Sequence, residues 1–242
     1  LIHASNKKSL KYERVSMEKK RIKIAALGDS MTESYGETFN ELLEILGNTY
    51  TDRDFEFYNF GVGGTRAGYG LWRLTNEYEY KSKKQASLLS IEPDIVLIES
   101  FAYNNASDGV YDDDGLKHFC EIHERIVRTI REQSSAKIIF VATIAPDTDH
   151  FLEGNMNFIY TPNSILSKMA EDRIKYLEKA LRIAEKLDLP IANVYQASLE
   201  KENKGTPRST FIGDGIHPNS MGNKLAAETI AKTINEYKII SE

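Results

Sequence analysis

The sequence predicts an α/β fold, a three-layer α/β/α sandwich around a five-stranded parallel sheet. Three observations carry this reading. Short runs that are apolar nearly throughout recur along the chain, as strands buried on both faces require; the clearest are Ile22–Leu27, Asp94–Glu99 and Lys137–Thr143. Amphipathic stretches between them are long enough for the crossovers that parallel pairing needs. No internal repeat or low-complexity linker breaks the 242 residues, a length that suits one large core.

In order, Ile22-Lys23-Ile24-Ala25-Ala26-Leu27 reads as a buried strand ending at Gly28. Residues 37–46 put Phe39, Leu42, Leu43 and Leu46 on one helical face. A short strand at Glu56–Asn59 runs into Gly61-Val62-Gly63-Gly64, and a long polar helix with inner residues Leu71, Leu74 and Tyr78 is expected over 68–90. The third strand, 94–99, is entered through Pro93 and Asp94. The helix at 115–132 aligns Leu116, Phe119, His123, Ile126, Val127 and Ile130. Strand 137–143 leads into an irregular stretch, 145–163, punctuated by Pro146, Gly154 and Pro162. A helix at 164–187 is expected to bury Leu166, Met169, Ala170, Leu177, Ala180, Leu181 and Ala184. Ile191–Tyr195 reads as the fifth strand, and 219–236 as the last helix, with Leu225, Ala226, Ile230 and Ile234 inside.

Composition excludes several classes. Hydrophobic residues make up 41% and charged residues 28%, which rules out disorder as the default. No apolar run approaches the ~18 residues of a membrane-spanning helix. The net charge is -5, although residues 1–21 carry seven Lys or Arg against Glu13 and Glu18. The rest of the chain is therefore distinctly acidic and repels phosphate backbones, so nucleic acid is not an expected partner. Residues 1–21 read as a basic leader or extension and 22–242 as a single domain. Met17 is an alternative start, and the compartment stays open between cytoplasmic and exported after loss of an upstream segment. Cys120 is the single cysteine, so no intrachain disulfide forms.

Four segments bear chemistry, each just after a strand or before a helix. Parallel sheets bind ligands beyond the carboxyl ends of their strands. Gly28-Asp29-Ser30 presents a hydroxyl at the end of the first strand, and a serine needs a base within reach to act as a nucleophile. Asp214-Gly215-Ile216-His217 spaces a carboxylate and an imidazole so that Asp214 can hold Nδ1–H and leave Nε2 to take a proton. Asn59…Gly64 offers backbone N–H groups that glycine lets a substrate approach closely. Asn104 offers a side-chain amide donor after the third strand.

Together these segments resemble the SGNH/GDSL hydrolase family over residues 22–236. The resemblance implies a flavodoxin-like SGNH hydrolase fold and a serine ester hydrolase. Ser30 would be the nucleophile, His217 the general base and Asp214 its orienting partner. The Ser30 N–H, the Gly64 N–H and the Asn104 amide would form the oxyanion hole. No metal or organic cofactor is implied. The expected substrate is a small-molecule or carbohydrate ester, with short acyl groups such as acetyl first and lipid esters second. An acyltransferase using the same acyl-enzyme, or a non-catalytic glycan-binding domain of this fold, are the alternative readings. The sequence departs from the family pattern at Ser34, Ala102 and Asn105. Ala102 would restrict the loop if that position required a positive φ.

Other chemistry-bearing residues read as structural. His118 and His123 have i, i+5 spacing, off the same-face pattern of helical metal ligands, and His123 falls on the apolar stripe. Asp112-Asp113-Asp114 lacks the pattern of a calcium loop, and Cys120 has no neighbouring base. Trp72, Tyr69 and Phe151–Tyr160 are as well explained by packing as by a substrate cleft.

Overall fold

The computed structural model describes residues 19–105, 113–153 and 155–240. Residues 1–18 of the basic leader, and Asp112 of the acidic run, lie outside these. The chain begins with β1 (Lys20–Gly28), a one-turn α1 (Ser30–Glu33), α2 (Asn40–Thr49) and β2 (Arg53–Gly61). α3 (Ala67–Arg73) and a two-stranded hairpin, β3 (Tyr78–Tyr80) and β4 (Lys83–Gln85), follow. Then come β5 (Ile95–Glu99), α4 (Ala102–Asn105), α5 (Asp113–Gln133), β6 (Lys137–Ala142), α6 (Asn163–Lys186) and β7 (Ile191–Asn193). α7 (Val194–Asn203) and α8 (Ser220–Glu236) close the fold.

The main sheet has the order β2-β1-β5-β6-β7, with all four pairings parallel. α2, α7 and α8 pack together in one helical layer, while α3, α5 and α6 form the other. Every residue of β5 is buried, whereas the edge strand β2 is only partly so, as expected for central and edge strands. In this strand order the connections leave β1 in opposite directions, which opens a crevice above β1 and β5. The segments carrying Ser30 and Asn104 follow those two strands.

Two expected elements are corrected. Residues 68–90 do not form one helix. α3 stops at Arg73, and Tyr78 and Tyr80 alternate with charged residues and pair antiparallel with Gln85 and Lys83. Lys81 and Ser82 both adopt positive φ (49° and 59°), as a two-residue hairpin turn demands. The fifth strand ends at Asn193 rather than Tyr195. The Asn193 side chain accepts the Gln196 N–H and caps α7, a helix the sequence reading missed.

His123 is a core residue, 1% exposed among Phe101, Phe119 and Phe140. Its Nδ1 lies 2.9 Å from Phe119 O and its Nε2 3.1 Å from Ser100 O. Two carbonyl partners favour the doubly protonated ring, but burial outweighs them and pushes its pKa down to about 4. The unfolded chain therefore takes up a proton here between pH 6.5 and about 4 while the folded chain does not. Stability from this group is complete above pH 6.5 and is lost as pH falls through that window, by about 3 kcal/mol. Urea denaturation at pH 7 and pH 4.5 should show this slope. His123→Met should flatten it, and an unchanged slope would show that the ring does not titrate this way.

Candidate active site

The first strand delivers Ser30 to the rim. Asp29 caps α1 by accepting the Met31 N–H at Oδ1 (2.9 Å), so the chain turns sharply and Ser30 becomes the first helical residue. Asp29 is wholly buried, and its Oδ2 accepts a hydrogen bond from Asn104 Nδ2 (2.7 Å). One N–H of the Asn104 amide is thereby fixed, and the second has no partner among the described residues.

Beneath this turn lies Glu99, the last residue of β5 and 2% exposed. Its Oε2 accepts the Asp29 N–H (3.0 Å), and its Oε1 accepts the Phe101 N–H (2.7 Å) and the Ser100 hydroxyl (2.8 Å). One carboxyl thus ties the turn after β1 to the loop after β5. Burial raises both carboxyls, and the charge of Asp29 raises Glu99 further. Glu99 is raised the more strongly of the two. Arg73, also wholly buried, donates to Gly28 O (2.8 Å) and sits over the rings of Tyr69 (4.9 Å) and Tyr78 (5.7 Å). Burial lowers its pKa, while Tyr78, Tyr69, Asp29 and Glu99 favour its cation.

The glycine segment after β2 is held by groups the sequence reading missed. Glu33 Oε2 accepts the Gly63 N–H (2.9 Å), and Tyr80 and Lys81 of the hairpin donate to Glu33. The Gly63 N–H is thereby occupied. The N–H groups of Gly64 and Ser30 have no partner among the described residues. Gly64 has φ of 71°, a conformation glycine adopts at no steric cost. A Cβ built at Gly63 would lie 3.7 Å from Ser30 Cβ, so this segment flanks the serine directly.

Asp214 and His217 meet in the loop before α8. Asp214 Oδ2 lies 2.7 Å from His217 Nδ1, and Oδ1 accepts the N–H groups of His217 (2.7 Å) and Ile216 (3.1 Å). Burial works against ionising Asp214, but these hydrogen bonds prevail and hold its pKa below the usual carboxylate range. Gly215 has φ of 80°, and a Cβ there would fall 2.6 Å from His150 O, so only glycine fits. Behind the loop, Asn223 of α8 donates from Nδ2 to Ser34 O (2.7 Å), and the Ser34 hydroxyl lies 3.3 Å from Asn223 Oδ1. This contact joins the end of α1 to the helix that follows His217. No hydrogen bond links the Ser30 hydroxyl to His217 in this structure. The imidazole is nonetheless close enough to act electrostatically on Asp29, the neighbour of Ser30.

The model of the GDSL-like Lipase/Acylhydrolase family matches residues 26–225. The chain belongs to this family. It is a carboxylic ester hydrolase of the serine type, with the α/β/α fold described above. No curated protein matches the sequence. Among solved structures, the acetylxylan esterase Axe2 from Geobacillus stearothermophilus is 16% identical with a TM-score of 0.63, covering 89% of this chain and 95% of that one. A lipase/acylhydrolase from Enterococcus faecalis is 21% identical with a TM-score of 0.59, covering 89% and 96%. The acetyl xylan esterase AlAXEase is 18% identical with a TM-score of 0.62, covering 88% and 100%. At these identities the likeness is one of fold.

The departures from the family pattern are accommodated. Ser34 has φ of -61°, so no glycine is needed there, and its hydroxyl bonds Met31 O (2.6 Å). Position 102 needs no positive φ; its neighbour Phe101 adopts one (52°), and is buried and held through its N–H by Glu99. Ala102 begins α4. The Asn105 side chain lies outside the described residues. Trp72 is 44% exposed and stacks on Tyr69. Phe151 is buried, while Met156, Ile159 and Tyr160 are exposed. No cluster of three or more metal-ligating side chains occurs among the described residues, and no helix there is long and apolar enough to cross a membrane. A groove of about 690 Å³ between α2 and α8, lined by Glu41, Glu44, Tyr50, Lys224 and Lys232, contains none of the site residues.

Proposed function

We propose that the chain hydrolyses small acyl esters, with acetyl on a sugar hydroxyl the first candidate, through Ser30, His217 and Asp214. The observation that carries this is the 2.7 Å contact between Asp214 and His217 Nδ1. It fixes the tautomer that leaves Nε2 as the proton acceptor. Ser30 Oγ attacks the ester carbonyl as its proton passes to His217 Nε2. The tetrahedral oxyanion is held by the Ser30 and Gly64 N–H groups and the second N–H of Asn104, donors with no competing partner among the described residues. The alcohol leaves with the proton from His217. Water then adds to the acyl-enzyme, again through His217, and releases the acid.

Acetylxylan esterases stand among the proteins of like fold, which favours short acyl groups. A panel of p-nitrophenyl esters of increasing acyl length tests the reading. The kcat/KM should be highest for acetate and fall by about ten-fold or more at octanoate if the site is built for a short acyl group. A rising series would reject the short-acyl reading. Running acetate with added sugar alcohols separates hydrolysis from acyl transfer by the product formed.

A further inference from the structure

The segment after β6 repeats the local chemistry of the Asp214–His217 loop. Asp147-Thr148-Asp149-His150 has the same Asp-x-x-His spacing. It also takes a similar form. Asp147 Oδ1 accepts the Asp149 N–H (3.1 Å), and Oδ2 lies 3.1 Å from His150 Nδ1. Asp147 is 6% exposed, whereas the His150 side chain is 57% exposed and its Nε2 has no partner among the described residues.

This second pair abuts the first. The Leu152 N–H donates to Gly215 O (3.2 Å), and His150 O closes over Gly215 so tightly that a Cβ is excluded. Its segment is fastened on the far side. Arg208 donates to Pro146 O (2.6 Å), the Ala145 N–H to Ser198 Oγ (3.1 Å), and the Ser167 hydroxyl to Thr148 O (2.9 Å). An imidazole oriented by a buried carboxylate thus stands on a fixed loop at the same rim of the sheet, and ester hydrolysis by Ser30 and His217 leaves it without a task.

We infer that His150, oriented by Asp147, binds a hydroxyl on the alcohol half of the substrate, and that this half is a neutral polyol such as a sugar ring. The inference rests on the ester hydrolase reading above. With Nδ1–H given to Asp147, Nε2 is an acceptor in the neutral ring and a donor in the protonated one. The bond and charge of Asp147, with Glu153 and Asp149 nearby, favour the protonated ring. A hydroxyl, being both donor and acceptor, satisfies either state. A carboxylate or phosphate on the substrate would satisfy only the protonated ring and would be repelled by Asp147, Asp149, Glu153 and Asp214.

Steady-state kinetics of His150→Ala on an acetylated methyl glycoside and on p-nitrophenyl acetate test this, because the second leaving group carries no further hydroxyl. The KM for the glycoside should rise about ten-fold, the worth of one hydrogen bond to a chargeable group. The ratio of kcat/KM between glycoside and p-nitrophenyl acetate should fall by the same factor. Equal proportional losses on both substrates, or an unchanged ratio, would overturn the inference. A second measurement needs no turnover. In Ser30→Ala, the His150 ring resonances should shift on titration with the methyl glycoside, and a fixed signal at saturating sugar would overturn it equally. Absence of turnover by the wild-type protein on every ester would instead sink the hydrolase reading, and the titration would still decide the role of His150.

Discussion

Ser30→Ala should lower ester hydrolysis by about 10⁵-fold while leaving the fold intact. The reasoning has two parts. The attacking oxygen is removed, and no other group flanking the Asp29–Ser30 turn can replace it. The hydroxyl also makes no hydrogen bond within the described residues, so its loss costs stability no more than about 0.5 kcal/mol. Kinetics on p-nitrophenyl acetate beside a urea melt of the same preparation checks both. A loss of under ten-fold would show that the nucleophile lies elsewhere, and a large loss of stability would show that the serine has a structural task. His217→Ala should be nearly as severe, and the double variant scarcely worse than Ser30→Ala, because groups acting as one unit do not add.

Glu99→Ala should be the most destabilising single change at the site, by about 3–5 kcal/mol. It removes the acceptor Glu99 offers to the Asp29 N–H and the Phe101 N–H, and one of two partners of the Ser100 hydroxyl, which also lies 3.2 Å from Thr143 Oγ1. Each orphaned group costs about 1–3 kcal/mol, and the side chain leaves a cavity as well. Activity should fall by at least about 10²-fold, since the Asp29–Asn104 contact that orients the proposed oxyanion donor loses its support. Denaturation midpoints at unchanged m-value measure the first effect and kcat the second. A stability change below about 1 kcal/mol would mean that water takes over the acceptor role and that Glu99 is dispensable.

The sheet was legible because its central strands are apolar on both faces and end at recognisable breaks, such as Gly28 after Leu27. The Asp214–His217 contact was legible because it is local, with three residues of spacing closing within one turn. Asn104 and Gly64 were readable as candidate donors that follow strands, and the bonds of the Gly63 N–H to Glu33 and Tyr80 distinguish the two glycines. Glu99 was read merely as the end of a strand. Its meaning lies in a contact with Asp29, 70 residues away, which no local pattern records. The Glu33–Tyr80 clasp was hidden for a related reason. Helical spacing of Leu71, Leu74 and Tyr78 suggested one helix, and the hairpin that carries Tyr80 is fixed by the fold rather than by propensity. The Asp147–His150 spacing stood in the open, but an irregular stretch gives no hint of what it will lie against.

The clasp between Ser34 and Asn223 has a consequence for how the protein is made. These residues are 189 positions apart, so the serine turn leaves the ribosome long before its partner helix exists. A nascent chain can complete β1, β5 and their loops and still lack both the imidazole and the helix that steadies it. Under the proposed mechanism, reactivity toward esters arises only after His217 and α8 have been made.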